Sequence, residues 1–422
     1  MNIRLPPSQF HGVYIAKVKG LILCCRAVSH SLLPLFHSPR HHSTIPLSLT
    51  RPQTTRQRFP AVTMLSPSER HYSATSPAKT AATKKPPSPV RPSASILLLS
   101  PTNQVLLLHR VQSSSSFASA HVFPGGNLST FHEGELPLLD SLEIHQDSEA
   151  YRLAAVRETF EESGILLARR NEGGAGLLDV GSEVLDAGRK EVHANKVKFG
   201  EWLSGIGGVA DLDNLHPFTR WITPPNMPKR FTTQMYLYML PLSASTSKRD
   251  VIHTPTHDGG LEHTAATFDD ARNWLARTQS GEVVLFPPQC YLLHLVAQFM
   301  IGPPANGFTG EGHYQRQRDA LMEFVKRVPT AEGKHATAAI PWAEKAMSPT
   351  VLFVRKGDKR AVLGLDKPGP ELKGTRRGGD WERVVLVRFT KEMGPQGVEV
   401  RRRDDVLREE REGEKGKRKE KL

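Results

Sequence analysis

Cysteine is scarce, with only Cys24, Cys25 and Cys290 in 422 residues. Two near one end and one alone in the body cannot build a disulfide framework or a cysteine metal site, and this usage fits a reducing, intracellular compartment. Acid is missing from the first part of the chain: no Asp or Glu occurs from Met1 to Ser68, where Arg, Ser, His and Pro abound. Long apolar runs are missing there too. Gly20 to Cys25, preceded by Lys17 and Lys19, is too short to span a bilayer, so no transmembrane helix is expected. No internal repeat stands out, and the Gly125-Gly126 pair is not followed by the Gly-x-x-Gly of a dinucleotide loop.

The charge that is present is unevenly placed. The chain has 56 Lys and Arg against 43 Asp and Glu, but residues 1–95 hold 13 of those bases and one acid, Glu69. The body is therefore nearly neutral, with 43 bases against 42 acids, which argues against a long nucleic acid as partner. The acid-free leader has the composition of an organellar transit peptide, and the expected address is mitochondrial. The alternatives are a low-information leader with a cytoplasmic start at Met64, or a peroxisomal ending, since Glu420-Lys421-Leu422 is a distant variant of Ser-Lys-Leu.

Residues 1–93 are expected to be a disordered basic leader, because Ser, Pro, Ala, Thr and Lys dominate Ser73 to Ser93 and cannot bury enough apolar surface to offset chain entropy. A folded domain is expected over 94–330, an extension with short strands over 331–400 and a charged, solvated tail over 401–422. Ala94–Leu99 and Val105–His109 read as a hairpin-like pair, with His121 to Phe123 a third short strand. Glu149 to Ala168 has helical periodicity through Leu153, Val156, Phe160 and Leu167. Residues 171–216 read as an insertion, helical around Glu191 to Leu203. Thr219–Thr223 and Phe231–Leu240 are strands, and Asp269–Arg277, Pro288–Met300 and Tyr314–Val328 are helices. Val351–Arg355, Ala361–Leu365 and Val384–Phe389 are short strands. This order indicates an α/β layered domain with a mixed sheet.

The string that carries chemistry is Arg157-Glu158-Thr159-Phe160-Glu161-Glu162-Ser163-Gly164-Ile165. On a helix, Glu158 shares a face with Glu161 and Glu162. Like charges that close destabilise a helix unless a cation neutralises them, and hard divalent ions take oxygen ligands. A solvated acidic face is the plain alternative. Upstream, Phe123-Pro124-Gly125-Gly126 lets backbone approach a phosphate or metal closely.

Together these segments resemble the signature of the Nudix hydrolase family: Gly, five residues, Glu, seven residues, then Arg-Glu-U-x-Glu-Glu-x-Gly-U, with U bulky and apolar. Glu149 stands seven residues before Arg157 and completes the box, with Thr159 at a bulky position and 22 residues instead of five between Gly126 and Glu149. The resemblance implies an α/β/α sandwich with a mixed sheet. It also implies Mg²⁺ or Mn²⁺ held by Glu158, Glu161 and Glu162, with Arg157 orienting the carboxylates and Glu158 or an outside acid as general base. Glu262, in Gly259-Gly260-Leu261-Glu262-His263, is the candidate outside acid. Val105 to Arg110, Ser119 to Gly126, Trp221 to Pro225, Lys229 to Thr233 and Pro287 to Gln289 are similar to the coenzyme A diphosphatase branch, with Thr232 where that branch usually has Asp. The implied substrate is a small nucleotide, coenzyme A or acyl-coenzyme A, met by Gly125 and Gly126 and by the bases Arg110 and Arg230, with Lys229 beside them. Hydrolases of ADP-ribose, NADH, dinucleoside polyphosphates or caps, and a non-catalytic nucleotide-binding module, are the alternatives.

Overall fold

A computed structural model describes residues 87–111, 119–174, 176–242, 256, 263–303, 312–333, 335–390 and 394–419. Residues 1–86 of the expected leader, and Glu262, lie outside the described residues. In chain order the strands are β1 Arg91–Leu99, β2 Val105–Arg110, β3 His121–Val122 and β4 Gly125–Asn127, followed by helices α1 Thr130–Glu133 and α2 Glu149–Ser163. Next come β5 Ala168–Arg170, α3 Ser182–His193, α4 Phe199–Gly205, β6 Gly208–Ala210, β7 His216–Ile222 and β8 Phe231–Met239. β9 His263–Asp269, α5 Ala271–Ser280, α6 Pro287–Val296 and α7 His313–Lys326 follow, then β10 Ala346–Met347, β11 Thr350–Val354 and β12 Ala361–Leu365. β13 Asp380–Thr390, β14 Gly394–Arg402 and α8 Arg403–Lys419 complete the described chain.

The central sheet runs β10-β7-β8-β1-β2-β3, with β4 also on β1 and β9 also on β2. It is mixed, because β1 pairs with β8 and β10 with β7 in parallel while the other pairs are antiparallel. The continuous apolar run of β1 reflects burial on both faces. Leu97 and Leu99 point into a core shared with α5, α6 and α7, and Ile96 and Leu98 point into a second core shared with α2, α3 and α4. The result is the expected α/β arrangement of a mixed sheet with helices on both faces.

Three local expectations shift. The helix at Glu149 ends at Ser163, five residues earlier than its apolar pattern suggests, because Gly164 turns left-handed at φ 72° and its N–H caps the Phe160 carbonyl. Ile165, Leu166 and Leu167 then enter the core as extended chain, and Ala168–Arg170 pairs with Gly208–Ala210. The segment from Arg401, expected as a charged, solvated tail, is a strand end running into helix α8, mostly exposed but anchored: Val406 is fully buried against Val362, Val384 and Leu386, and Arg403 pairs with Asp366 at 2.6 Å. Strands β12 to β14 contribute Leu363, Leu365, Val385, Val387, Val398 and Val400 to the same core as α5 to α7. Among the described residues no helix is long and apolar enough to cross a membrane.

Two histidines tie the fold to pH. His145 ends a 3₁₀ turn and bonds Thr232 Oγ1 through Nδ1 at 2.9 Å, and its pKa is lowered to about 4 by burial and by the Arg220, Arg377 and Arg230 guanidiniums. His121 is lowered to about 4 by burial and by His109 and Arg277. Both rings stay neutral in the fold while the unfolded chain takes up protons below pH ~6.5. Their contribution is therefore complete above that pH and is lost as pH falls towards 4. Urea unfolding between pH 7 and 4.5 is expected to show falling stability, with a slope reduced by about one proton in His145→Asn. An unchanged slope in that variant would show that His145 protonates normally in the fold.

Candidate active site

Helix α2 presents Arg157, Glu158, Glu161 and Glu162 to a cavity of about 240 Å³, lined also by Asn127, Leu128, Ser129, His132, His193 and Asn195. The helix period brings the carboxylates together, and one guanidinium holds most of them. Arg157, 4 % exposed, reaches Glu158 at 2.9 Å and Glu161 at 2.8 Å through Nη1, and donates from Nη2 to the Asn127 carbonyl at 3.0 Å. Its Nε donates to Glu133 at 2.7 Å. Burial opposes the charge on Arg157, but Glu158, Glu133 and Glu161 outweigh it and hold its pKa above the usual value.

Glu133 was not singled out in the sequence, and the structure puts it where Glu149 was expected. Glu149 is exposed at the first turn of α2, whereas the Glu133 side chain is 0 % exposed against Arg157. Ser129 caps α1 by accepting from Phe131 N, and its own N–H donates to Glu133 Oε2 at 2.6 Å, so the carboxylate is fixed from both sides. Six residues separate Gly126 from Glu133, close to the family interval, and it is between Glu133 and Arg157 that the chain is long, with 23 residues. Near-agreement at the first interval was the signal. The perfect seven before Arg157 pointed to the wrong glutamate.

The two glycines, expected at the substrate, lie against the carboxylates of α2. Gly125 N donates to Glu162 Oε2 at 2.7 Å, and a Cβ on Gly126 would stand 2.5 Å from the Glu158 carboxyl carbon. Glu158 is therefore packed against bare backbone. Burial raises its pKa, Arg157 opposes the shift, and the charge of Glu161 adds to it. Glu161 Oε2 accepts from His193 Nδ1 at 2.9 Å, and Glu162 Oε1 lies 3.6 Å from His263 Nε2. His193, carried by α3, had no signal in the sequence.

The proposed substrate bases are not gathered here. Arg230 is 2 % exposed and is held by the chain itself: Nε donates to the Thr223 and Pro224 carbonyls, Nη1 to the Ser88 carbonyl, and Nη2 meets Glu371 at 2.6 Å. The structure does not bring it to the expected substrate site: Arg230 is buried and is not among the residues that line the cavity. Arg110 ends β2 outside the cavity lining, and Lys229 is exposed.

A divalent cation suits the donors. Three carboxylates share the single positive charge of Arg157, and Glu162 stands beside them, so negative charge exceeds the one cation that meets it. Among the described residues no three such groups are drawn into a ready ligating cluster, so Glu158, Glu161 and Glu162 would share an ion through oxygens now engaged with Arg157, His193 and Gly125.

Comparison with known proteins finds similarity over the region that carries α2. Residues 139–295, which include all of α2, match the family model described as the NUDT19 Nudix domain. A putative nudix hydrolase 7 of Caenorhabditis elegans is 30 % identical over 210 residues, covering 49 % of this chain and 61 % of its own length. The acyl-coenzyme A diphosphatase NUDT19 of Xenopus laevis is 26 % identical over 238 residues, covering 46 % and 60 % respectively. The chain thus spans about three fifths of the length of these curated relatives. A solved NUDIX hydrolase from Alicyclobacillus acidocaldarius is 24 % identical with a TM-score of 0.39, over 50 % of this chain and 91 % of its own. Residues 139–295 are thus similar to the NUDT19 Nudix domain, and over about half its length the chain is similar to proteins named nudix hydrolase and acyl-coenzyme A diphosphatase.

Proposed function

We propose that this chain is a metal-dependent hydrolase of diphosphate bonds, acting on coenzyme A or acyl-coenzyme A to give 3′,5′-ADP and 4′-phosphopantetheine or its acyl form. The observation that carries the reaction is the convergence of Glu158, Glu161 and Glu162 on one cavity around a single buried arginine. The relatives named acyl-coenzyme A diphosphatase support the choice of substrate. When bound, Mg²⁺ or Mn²⁺ would neutralise the diphosphate oxygens and lower the pKa of a water. Arg157 keeps Glu158 and Glu161 oriented, the Gly125 N–H holds Glu162, and Gly126 leaves room for the Glu158 carboxyl. Glu158, whose burial favours the protonated form, is our choice of proton acceptor from the attacking water. We also propose that the acid-free leader directs the chain to the mitochondrion, which fusion of residues 1–93 to a fluorescent reporter would test.

The full chain should be incubated with Mg²⁺ or Mn²⁺ and coenzyme A, acyl-coenzyme A, NADH, ADP-ribose, a dinucleoside polyphosphate and capped RNA, with products read by mass spectrometry. The expected product is 3′,5′-ADP from coenzyme A, lost on chelation and reduced on the order of a hundredfold or more in Glu162→Gln. Cleavage of a different compound keeps the reaction and moves the substrate. A folded chain that cleaves none of them overturns the reading.

A further inference from the structure

Helix α3 belongs to a stretch that reads as an insertion, yet two of its side chains, one turn apart, both reach Glu161. Arg189 Nε donates to the Glu161 carbonyl at 2.5 Å, and His193 Nδ1 bonds the Glu161 carboxylate at 2.9 Å. The helix is held firmly against α2. A Cβ on Gly188 would lie 2.1 Å from the Trp202 indole, and that indole stacks on Phe160, the residue before Glu161, with ring centroids 4.8 Å apart. Arg189 also bonds Thr256 Oγ1 at 2.9 Å, and Thr256 N donates to the Ser163 carbonyl beyond Glu161. The end of α2 is therefore gripped on either side of the carboxylate.

We propose that His193 is a positioning residue for the reaction proposed above, fixing the Glu161 carboxylate from outside its own helix. Arg157 occupies Oε1 and His193 occupies Oε2, so the two donors define the plane of the group while each oxygen keeps a lone pair for a ligand. A free glutamate would have to lose its rotamer freedom when substrate and ion arrive, whereas this one has lost it in the fold. An ionised carboxylate only accepts, so a ring with one proton carries it on Nδ1 and leaves Nε2 as an acceptor. The ring lines the cavity and its side chain is 45 % exposed, so replacing it should leave the fold intact.

The inference rests on the proposed hydrolysis, and its test separates the two. In the full chain with coenzyme A, His193→Ala is expected to lower kcat ten- to a hundredfold with KM within about threefold and an unchanged melting temperature. His193→Asn, whose amide N–H falls near Nδ1, should recover most of the rate, and His193→Gln, whose amide falls near Nε2, should not. A rate within twofold of wild type in His193→Ala, or His193→Asn as slow as His193→Ala, overturns the proposal. Independently of activity, ¹⁵N-histidine spectra at alkaline pH, assigned by the signal lost in His193→Gln, should show the Nδ1–H tautomer, and an Nε2–H tautomer overturns the contact. If the wild-type chain cleaves no diphosphate, the functional reading fails while the tautomer still decides this one.

Discussion

Arg157→Met is expected to cost about 3–5 kcal/mol of stability and to abolish the proposed diphosphate hydrolysis, because it leaves buried carboxylates facing one another without their cation. Glu133 is fully enclosed, Glu161 is 8 % exposed and Glu158 is 16 % exposed, so water cannot replace the guanidinium at all three. Thermal and urea unfolding would read the loss, as a fall in melting temperature of roughly ten degrees. The second half of a cycle separates charge from shape. Adding Glu133→Leu to Arg157→Met removes the most enclosed unpaired charge and should return part of the stability, while activity stays absent because Glu158 and Glu161 remain unoriented. Arg157→Met as stable as wild type would mean that these carboxylates are solvated, and the account of Arg157 as their common counter-ion would fall.

Trp342→Ala carries the second large effect, about 3–5 kcal/mol, with no expected change in the chemistry of the site. The indole is 0 % exposed, with Phe324 and Phe218 at ring-centroid distances of 5.1 and 6.1 Å and the Lys345 ammonium 5.2 Å from its ring. Four residues further on, β10 adds to the edge of the central sheet at β7. The indole thus fastens the chain after α7 to the core beneath the sheet, where β12 to β14 also deposit their apolar residues. A single cooperative urea transition with a lower midpoint is expected. A loss below ~1 kcal/mol would show that residues 340–400 fold apart from the rest.

The carboxylate face of α2 was legible because helix geometry depends only on spacing, and β1, β2 and β8 were legible because two buried faces force long apolar runs. Strand β9 was not: His263–Asp269 is polar, short and followed at once by α5, so only its pairing with β2 reveals it. Helix α8 was hidden by its charges, since Val406 is the one apolar anchor that the core takes from it. Arg230 was not legible because a sequence gives the reach of a guanidinium but not that the fold buries it against backbone carbonyls away from the cavity. Glu133 was missed for a related reason, since a contact across 23 residues leaves no periodic trace.

The pairing of Glu133 with Arg157 has a consequence for how this chain can vary. Both ends of the stretch between them are anchored, one by the Ser129 cap and the other by α2. Near the middle, Leu138, Leu139 and Leu142 are 75, 49 and 54 % exposed, whereas Ile144 and His145 are buried where the chain returns to the body. The exposed residues 138–140 therefore form a splice point at which the chain can be lengthened, or a peptide grafted, with the Glu133 and Arg157 anchors left in place.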